Sequence, residues 1–103
     1  MRVIAVSPLK EFWEHPNHRD AEQPLKAWLE EAKQANWQQP SDIKDQYRSA
    51  SILKNRRVVF NIKGNDYRLV VALAYRAQLA YVKFIGTHEE YDTIDAETIE
   101  LTF

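Results

Sequence analysis

The fold is decided by the stretch RVVFNIKGNDYRLVVALAY, residues 57–75. Apolar and polar side chains alternate on both sides of Gly64-Asn65, and this period of two is typical of strands that bury one face. Gly and Asn both tolerate the positive φ angles of a tight turn. We therefore predict a β-hairpin of residues 57–62 and 67–75, joined by a two-residue turn.

A third strand, residues 81–86, extends the hairpin if Tyr75 pairs with Ala80. One face of this sheet is then almost entirely apolar, and we predict that helices cover it. The face holds Val58, Phe60, Ile62, Tyr67, Leu69, Val71, Leu73, Tyr75, Ala80, Val82 and Phe84.

The opposite face of the sheet is predicted to be open and to carry its cations. Two cross-strand rows matter there, Arg57–Ala72–Lys83 and Asn61–Arg68–Thr87. The cations at the ends of the first row are expected about 10 Å apart, which is two strand spacings. A small residue between them leaves room for a ribose-phosphate backbone.

Residues 1–50 are predicted to be mainly helical, after a short strand at residues 2–6. The first helix is expected to start at Ser7-Pro8 with Ser7 as N-cap, the second to run from about Ala21 to Asn36 with Asp20 as N-cap, and the third to start at Pro40-Ser41. Thr87 and Glu90 form a capping-box pattern for a further short helix over residues 88–92.

This order of elements predicts an α+β fold: a small, mainly antiparallel β-sheet with helices packed on one face. We expect residues 1–103 to form a single domain. Its parts are the helical half, a β-meander over residues 51–86, and a short helix with an acidic tail over residues 87–103. The last eight residues are expected to fray or to add an edge strand.

Composition excludes several classes of protein. The chain of 103 residues contains no cysteine and two glycines, which excludes disulfides, thiolate metal sites and a glycine-rich nucleotide loop. No apolar run is long enough to cross a membrane. We expect a cytoplasmic protein with no membrane partner.

Charge is distributed unevenly along the chain. Residues 51–86 hold seven Lys or Arg against Asp66 alone, and residues 87–103 hold six acids and no Lys or Arg. A basic segment of this kind predicts a surface that binds a polyanion, and the acidic tail could fold over that surface and restrain it. The alternative is an ordinary solvated sheet face.

Five residues are candidates for chemistry on a phosphate. Arg57, Arg68 and Lys83 could hold the phosphate and its developing charge. His88 could be a general acid or base, and Tyr91, on the same helix face, could move a proton or stack on a base. The alternatives are a surface histidine and a core tyrosine.

Other polar side chains near these candidates have simpler interpretations. Tyr81 has the same two interpretations as Tyr91, and Lys63 could merely pair with Asp66. The acids Glu89, Glu90 and Asp92 could be acid/base carboxylates, but a run of acids is usually a solvated face. The three histidines lack the spacing of a metal site, so no metal and no cofactor are predicted.

Two motifs in this sequence resemble the HigB toxin family. They are NRRVVFNIKGNDYRLV, residues 55–70, and GTHEEYD, residues 86–92. Residues 20–47, with AWLEEA and PSDIK, resemble the helical half of the same family. The similarity covers nearly the whole chain.

The resemblance implies a RelE-like toxin of a type II toxin–antitoxin system. Such toxins are metal-independent endoribonucleases that cut mRNA during translation in the ribosomal A site. The implied reaction is attack of a ribose 2′-OH on the adjacent phosphate. The implied partner is a HigA-type antitoxin with a helix-turn-helix, and operator DNA is contacted only through that antitoxin.

The resemblance and the hairpin register together assign roles to individual residues. The catalytic residues are expected to be Arg68, His88, Tyr91 and Lys83, and the RNA-binding residues to be Arg57, Asn61, Arg56, Lys63 and Tyr81. Two alternatives stay open. One is a non-catalytic RNA- or ribosome-binding module, and the other is a protein whose basic face docks an acidic partner chain.

Overall fold

A computed structural model describes residues 1–101 of the chain and shows a five-stranded mixed sheet. The strands are β1 (Arg2–Ile4), β2 (Ser51–Ile52), β3 (Arg57–Ile62), β4 (Tyr67–Ala74) and β5 (Leu79–Thr87). Their order is β1-β5-β4-β3-β2, with β1 parallel to β5 and the other pairs antiparallel. The predicted α+β fold is confirmed.

Four α-helices and one 3₁₀ helix complete the fold. They are α1 (Ser7–Glu14), the 3₁₀ helix (Pro16–Ala21), α2 (Glu22–Gln34), α3 (Pro40–Gln46) and α4 (His88–Tyr91). Among the described residues, no helix is both long and apolar enough to cross a membrane.

The main core lies between the sheet and the helical half. Trp28 of α2 and Trp37 pack on Phe60 of β3, with ring centroids 5.3 and 6.0 Å apart. Leu25 and Leu69 are fully buried in the same cluster. The buried stripe predicted for α2 and the apolar sheet face therefore meet, as expected from their periodicities.

The hairpin register follows the prediction. Asn61 pairs with Arg68, and Ile62 pairs with Tyr67. The turn itself differs in detail, because the positive φ angles belong to Lys63 and Gly64. The hydrogen-bonded pairing decides the register, so this shift within the turn leaves the faces of β3 and β4 unchanged.

The predicted register between β4 and β5 is wrong. Ala80 pairs with Leu73, and a β-bulge shifts the pairing between Val70 and Val71. Lys83 is the extra residue at that bulge, which moves its neighbour Phe84 to the second face. A bulge inserts one unpaired residue and reverses the alternation beyond it, and the sequence pattern did not reveal it.

Both predicted rows change, because the pairing is offset by two residues on the turn side of the bulge and by one residue beyond it. Ala72 lies opposite Tyr81 instead of Lys83, and Arg68 lies opposite Gly86 instead of Thr87. Phe84 joins Val70 on the second face, whereas Ile85 joins the main core.

Two predicted N-caps are also wrong. Ser7 is the first residue of α1, after Val6 as N-cap. The 3₁₀ helix leads directly into α2, so no extended residue is left at Asp20 to cap it. Asp20 instead accepts hydrogen bonds from Lys63 Nζ, at 2.7 Å, and from the Tyr67 hydroxyl.

The second face of the sheet is covered in its middle by residues 92–101, which we call the C-terminal segment. Val59, Val70 and Ala96 are buried there in a second, smaller core. Leu53, Phe84, Tyr91, Ile94 and Ile99 pack around it. The predicted open face is therefore wrong, and the alternative that the tail folds over the sheet is confirmed.

The prediction that the last eight residues fray or add an edge strand is wrong for those of them up to residue 101. The segment turns at Asp95, whose carbonyl accepts from the backbone N–H of Thr98 at 3.1 Å and of Ile99 at 2.8 Å. Apolar side chains hold this turn against the sheet. The remaining predicted tail positions, 102 and 103, lie outside the described residues.

Candidate active site

Arg68 and His88 form a pair at the end of the second face that the C-terminal segment leaves open. Nη2 of Arg68 lies 2.9 Å from Nδ1 of His88. Nη1 of Arg68 donates to the carbonyls of Asn65 and Tyr67, at 2.9 and 3.3 Å. The hairpin turn thus holds the guanidinium, and the guanidinium reaches the imidazole.

The start of α4 positions His88. The Thr87 hydroxyl accepts from the Glu90 N–H at 3.1 Å, while the Glu90 carboxylate accepts from the Thr87 N–H at 2.9 Å. This is the predicted capping box, and it is confirmed. The backbone N–H of His88 also donates to the carbonyl of Asp66 at 3.1 Å, which ties α4 to the hairpin turn.

Gly86 lies opposite Arg68 in the sheet. A Cβ at this position would lie 2.5 Å from the Phe84 ring and 3.3 Å from Cβ of Glu90. Because Gly86 has no side chain, the Phe84 ring can lie across this position. There it helps to close the second core.

A cleft adjoins the Arg68–His88 pair. It has a volume of about 400 Å³ and is lined by Asn65, Asp66, Tyr67, Thr87, His88 and Glu89. The His88 side chain is 49% exposed in this cleft. An imidazole in an open cleft, with a guanidinium beside it, can bind an anion and move a proton.

Arg57 does not belong to this site. Its side chain is 7% exposed, and its guanidinium donates to the carbonyl of Ile99 at 2.6 Å and to Glu100 Oε1 at 2.9 Å. The structure does not expose Arg57 to RNA as predicted, because the C-terminal segment covers the guanidinium and supplies its acceptors.

Lys83 is also held by the C-terminal segment. Its Nζ lies 2.6 Å from Glu100 Oε2 and 5.7 Å from the ring centroid of Tyr81. The hydrogen bond from Lys83, more than the contact with Arg57, lowers the pKa of the Glu100 carboxyl. Lys83 and Tyr81 line a separate cavity of about 200 Å³. Glu100 contacts both Arg57 and Lys83, and so lies where the sequence analysis expected a phosphate.

The other predicted residues lie at varying distances from the pair. Asn61 is paired with Arg68 and its amide lies 3.5 Å from that of Asn65. Tyr91 is half-buried, with its ring 6.5 Å from that of Phe84. The hairpin therefore brings Asn61 to the pair, while Tyr91 contributes to the second core beside it.

Two predicted RNA-binding cations lie elsewhere. Arg56 is at the opposite end of the sheet, where its carbonyl accepts from the Leu73 N–H at 2.8 Å. Lys63 lies 2.7 Å from Asp20 and 3.3 Å from Asp66. The structure does not gather these cations with Arg68 into one patch.

Asp92 lies beside His88, in a contact that the sequence analysis did not predict. Its Oδ2 lies 3.3 Å from Nε2 of His88. The four-residue spacing between a histidine and an aspartate at a helix start was the signal that could have identified it. Among residues 1–101, no cluster of three or more His, Asp or Glu could hold a metal ion.

Comparison with known proteins matches the chain to one family. A family model described as HigB_toxin, a RelE-like toxic component of a toxin-antitoxin system, matches residues 21–94. The mRNA interferase toxin HigB of Escherichia coli (strain K12) is 28% identical over 99 residues, which cover 93% of this chain and 92% of the relative. The mRNA interferase HigB proteins of Escherichia coli O157:H7 and Shigella flexneri match with the same figures.

The matched range contains the hairpin, β5 and α4, and therefore both members of the Arg68–His88 pair. It places the protein in a class, the RelE-like toxins of toxin–antitoxin systems, whose partner is an antitoxin. Within that class, the chain belongs to the HigB toxin family. The resemblance found in the sequence is thereby confirmed.

Proposed function

We propose that this toxin is an endoribonuclease that cuts mRNA while it is being translated. The observation that carries the proposal is the Arg68–His88 pair, 2.9 Å apart at the open end of the sheet. The three relatives described as mRNA interferases, which align over nearly their whole length, support it.

RNA carries its own nucleophile, so the protein has three tasks. It aligns the 2′-oxygen with the phosphorus, moves protons, and stabilises the charge that develops on the phosphate. His88 moves the proton and Arg68 stabilises the charge. The products are a 2′,3′-cyclic phosphate and a free 5′-hydroxyl, and no metal takes part.

The remaining candidates take lesser roles in this proposal. Lys83 binds a phosphate once that phosphate has displaced the Glu100 carboxylate from its ammonium group. The Tyr91 hydroxyl contacts the RNA at the edge of the second core. Asn61 and Tyr81, both half-buried, contact the sugar and a base. Exposed Arg56 and Lys63 contact the RNA backbone outside the cleft.

The charges of the surface support dependence on the ribosome. Arg57 and Lys83 both pair with Glu100, which offsets one of their two positive charges, and the formal net charge of the chain is −1. Such a surface attracts free RNA weakly. A ribosome that presents the strand in its A site removes the need for strong binding by the toxin.

The antitoxin in this proposal is of the HigA type. It carries a helix-turn-helix, so the toxin reaches operator DNA only through it. Co-purification of the toxin with the product of a neighbouring helix-turn-helix gene tests this partner.

The experiment that tests cleavage uses Arg68→Ala. We expect this variant to fold and to lose growth arrest on expression, because the charge on the phosphate is no longer stabilised. Primer extension on cellular mRNA is expected to show new 5′ ends inside coding regions with the wild type and none with the variant.

Arg48→Ala is the matched control, since Arg48 is an exposed arginine between α3 and β2. It is expected to behave as the wild type. Full growth arrest by a folded Arg68→Ala protein would contradict the proposed site. The binding-only alternative is favoured by the engagement of both His88 ring nitrogens, and blocked translation with intact transcripts would establish it.

A further inference from the structure

His88 has a partner at each ring nitrogen. Nδ1 lies 2.9 Å from Nη2 of Arg68, and Nε2 lies 3.3 Å from Oδ2 of Asp92. Asp92 directly follows α4, and its backbone N–H donates to the carbonyl of His88 at 3.1 Å. This hydrogen bond keeps the aspartate on the helix side where the imidazole projects.

The contacts have a defined direction. A guanidinium has five N–H donors and no acceptor, so Nδ1 of His88 must accept from Arg68. The ring proton is therefore on Nε2, which lies 3.3 Å from Oδ2 of the Asp92 carboxylate. One hydrogen bond and one contact with a carboxylate thus link Arg68 through His88 to Asp92.

Arg68 is therefore hydrogen-bonded to Nδ1 of His88, the ring nitrogen that must be free before His88 can accept a proton as a general base. A phosphodiester in the cleft offers the guanidinium two anionic oxygens, and such a charge-assisted, bidentate contact is stronger than one to an imidazole. When Arg68 moves to the phosphate, Nδ1 becomes free. The Nε2–H stays with Asp92, so the imidazole keeps its orientation.

We infer that Asp92 is the positioning residue of the site, which holds the Nε2–H of His88 so that Nδ1 accepts the proton of the substrate 2′-hydroxyl. The inference rests on the proposed RNA cleavage. The carboxylate also stabilises the imidazolium that forms, as the aspartate of a catalytic triad does.

The step balances with water as co-reactant. Nδ1 takes the 2′-proton while the O2′–P bond forms and the P–O5′ bond breaks. The leaving 5′-oxygen takes a proton from water, and the imidazolium returns its proton to the resulting hydroxide. His88 is then neutral again.

The test measures single-turnover cleavage of a labelled mRNA on programmed ribosomes by the full chain. Asp92→Ala is expected to lower the maximal rate about 10- to 100-fold, within the contribution of general acid–base catalysis, and to leave the concentration for half-maximal rate unchanged. Asp92→Asn is expected to recover part of the rate, because its amide oxygen can still accept from Nε2–H. Asp45→Ala, at an exposed aspartate of α3, is the matched control and is expected to keep the full rate.

A double-mutant comparison separates positioning from a general effect on folding. In the His88→Ala background, Asp92→Ala is expected to lower the rate no further, since its role is exerted through the imidazole. Nitrogen-15 NMR of the free wild-type protein is expected to show the His88 ring proton on Nε2.

If the wild-type protein cleaves mRNA, the proposed function stands, and three results would still overturn the inference about Asp92. They are an unchanged rate for Asp92→Ala, an equal loss with and without His88, and a ring proton found on Nδ1. A wild-type protein that cleaves no RNA, free or on ribosomes, would instead overturn the proposed function, and the role of Asp92 with it.

Discussion

Arg57 shows how the chain itself can satisfy a cation that the sequence assigns to a ligand. Alternation along β3 correctly placed Arg57 on the second face of the sheet. Its acceptors are two backbone carbonyls and Glu100, about forty residues further along the chain. No local pattern links positions so far apart, so the sequence could predict the face but not the partner.

We expect Arg57→Ala to lower the free energy of unfolding by about 1–3 kcal/mol, because buried carbonyls of Ala96 and Ile99 lose their donor. Denaturant unfolding measures the loss, and hydrogen exchange is expected to accelerate in residues 95–101. Glu100→Gln is the comparison, and its effect should be much smaller, since Glu100 is 58% exposed. Equal stability and unchanged exchange in Arg57→Ala would show that Arg57 does not hold the C-terminal segment.

Arg68 and His88 are the residues for which sequence reasoning placed the site best. The hairpin register put Arg68 beside Asn61, and the capping box put His88 at the start of α4. Both depend on contacts within a few residues of the turn or the helix start. Lys83 was misplaced because β4 and β5 pair two residues away from the predicted register, which puts Tyr81 opposite Ala72, and because Lys83 itself is the unpaired residue of the bulge.

At the scale of elements, the hairpin turn is fastened to the helical layer by Asp20. The hydrogen bond from Lys63, more than that from Tyr67, lowers the pKa of the Asp20 carboxyl below its ordinary 3.8. Burial, more than the hydrogen bond to Asp20, raises the pKa of the Tyr67 hydroxyl to about 12. The turn that holds Arg68 is thereby linked to the 3₁₀ helix.

These pKa shifts predict a loss of stability at both ends of the pH range. Below about pH 4 the unfolded chain takes up a proton at Asp20 more readily than the folded chain does, so the free energy of unfolding falls as pH drops. Between pH 10 and about 12 the unfolded chain loses the Tyr67 proton while the folded chain keeps it, so stability falls as pH rises.

Urea unfolding across this range tests the link. Asp20→Asn is expected to flatten the acid limb and Tyr67→Phe the alkaline limb, each in part, because Glu100 and Tyr47 also have shifted pKa values. Asp45→Asn is the control and should reproduce the wild-type curve. If the free energy of unfolding of Asp20→Asn and of Tyr67→Phe depends on pH as in the wild type at both ends of the range, the contacts of Asp20 with Lys63 and Tyr67 do not fasten the turn.

For the whole molecule, the C-terminal segment determines how much positive charge is available to RNA. Sequence analysis gathered three cations on one open face, whereas in the folded chain two of them pair with Glu100, whose carboxylate offsets one of their two charges. Arg68 remains at the open end with His88. A small anion-binding site replaces the broad basic groove that the composition of residues 51–86 predicted.

We expect weak, weakly salt-dependent binding of single-stranded RNA to the free toxin. Each neutralised phosphate contributes about −0.7 to the slope of log K against log salt, so one or two contacts give a slope between about −0.7 and −1.4. Arg68→Ala is expected to reduce the slope by about 0.7, while Arg48→Ala leaves it unchanged. Fluorescence titrations at several salt concentrations measure this, and a slope of about −2 or steeper, which corresponds to three or more contacts, would show that the covered cations bind RNA after all.

The α+β class, the β3–β4 register, the capping box and the toxin family could all be predicted, because each depends on periodicity, neighbouring residues or a contiguous motif. Only the folded chain shows which cations stay uncovered, where the bulge falls in β5, and that Asp92 contacts His88. Those outcomes depend on contacts between β3 or β5 and the C-terminal segment, or on side-chain geometry at a helix end. Alternation and charge counts along the chain contain no information about such contacts.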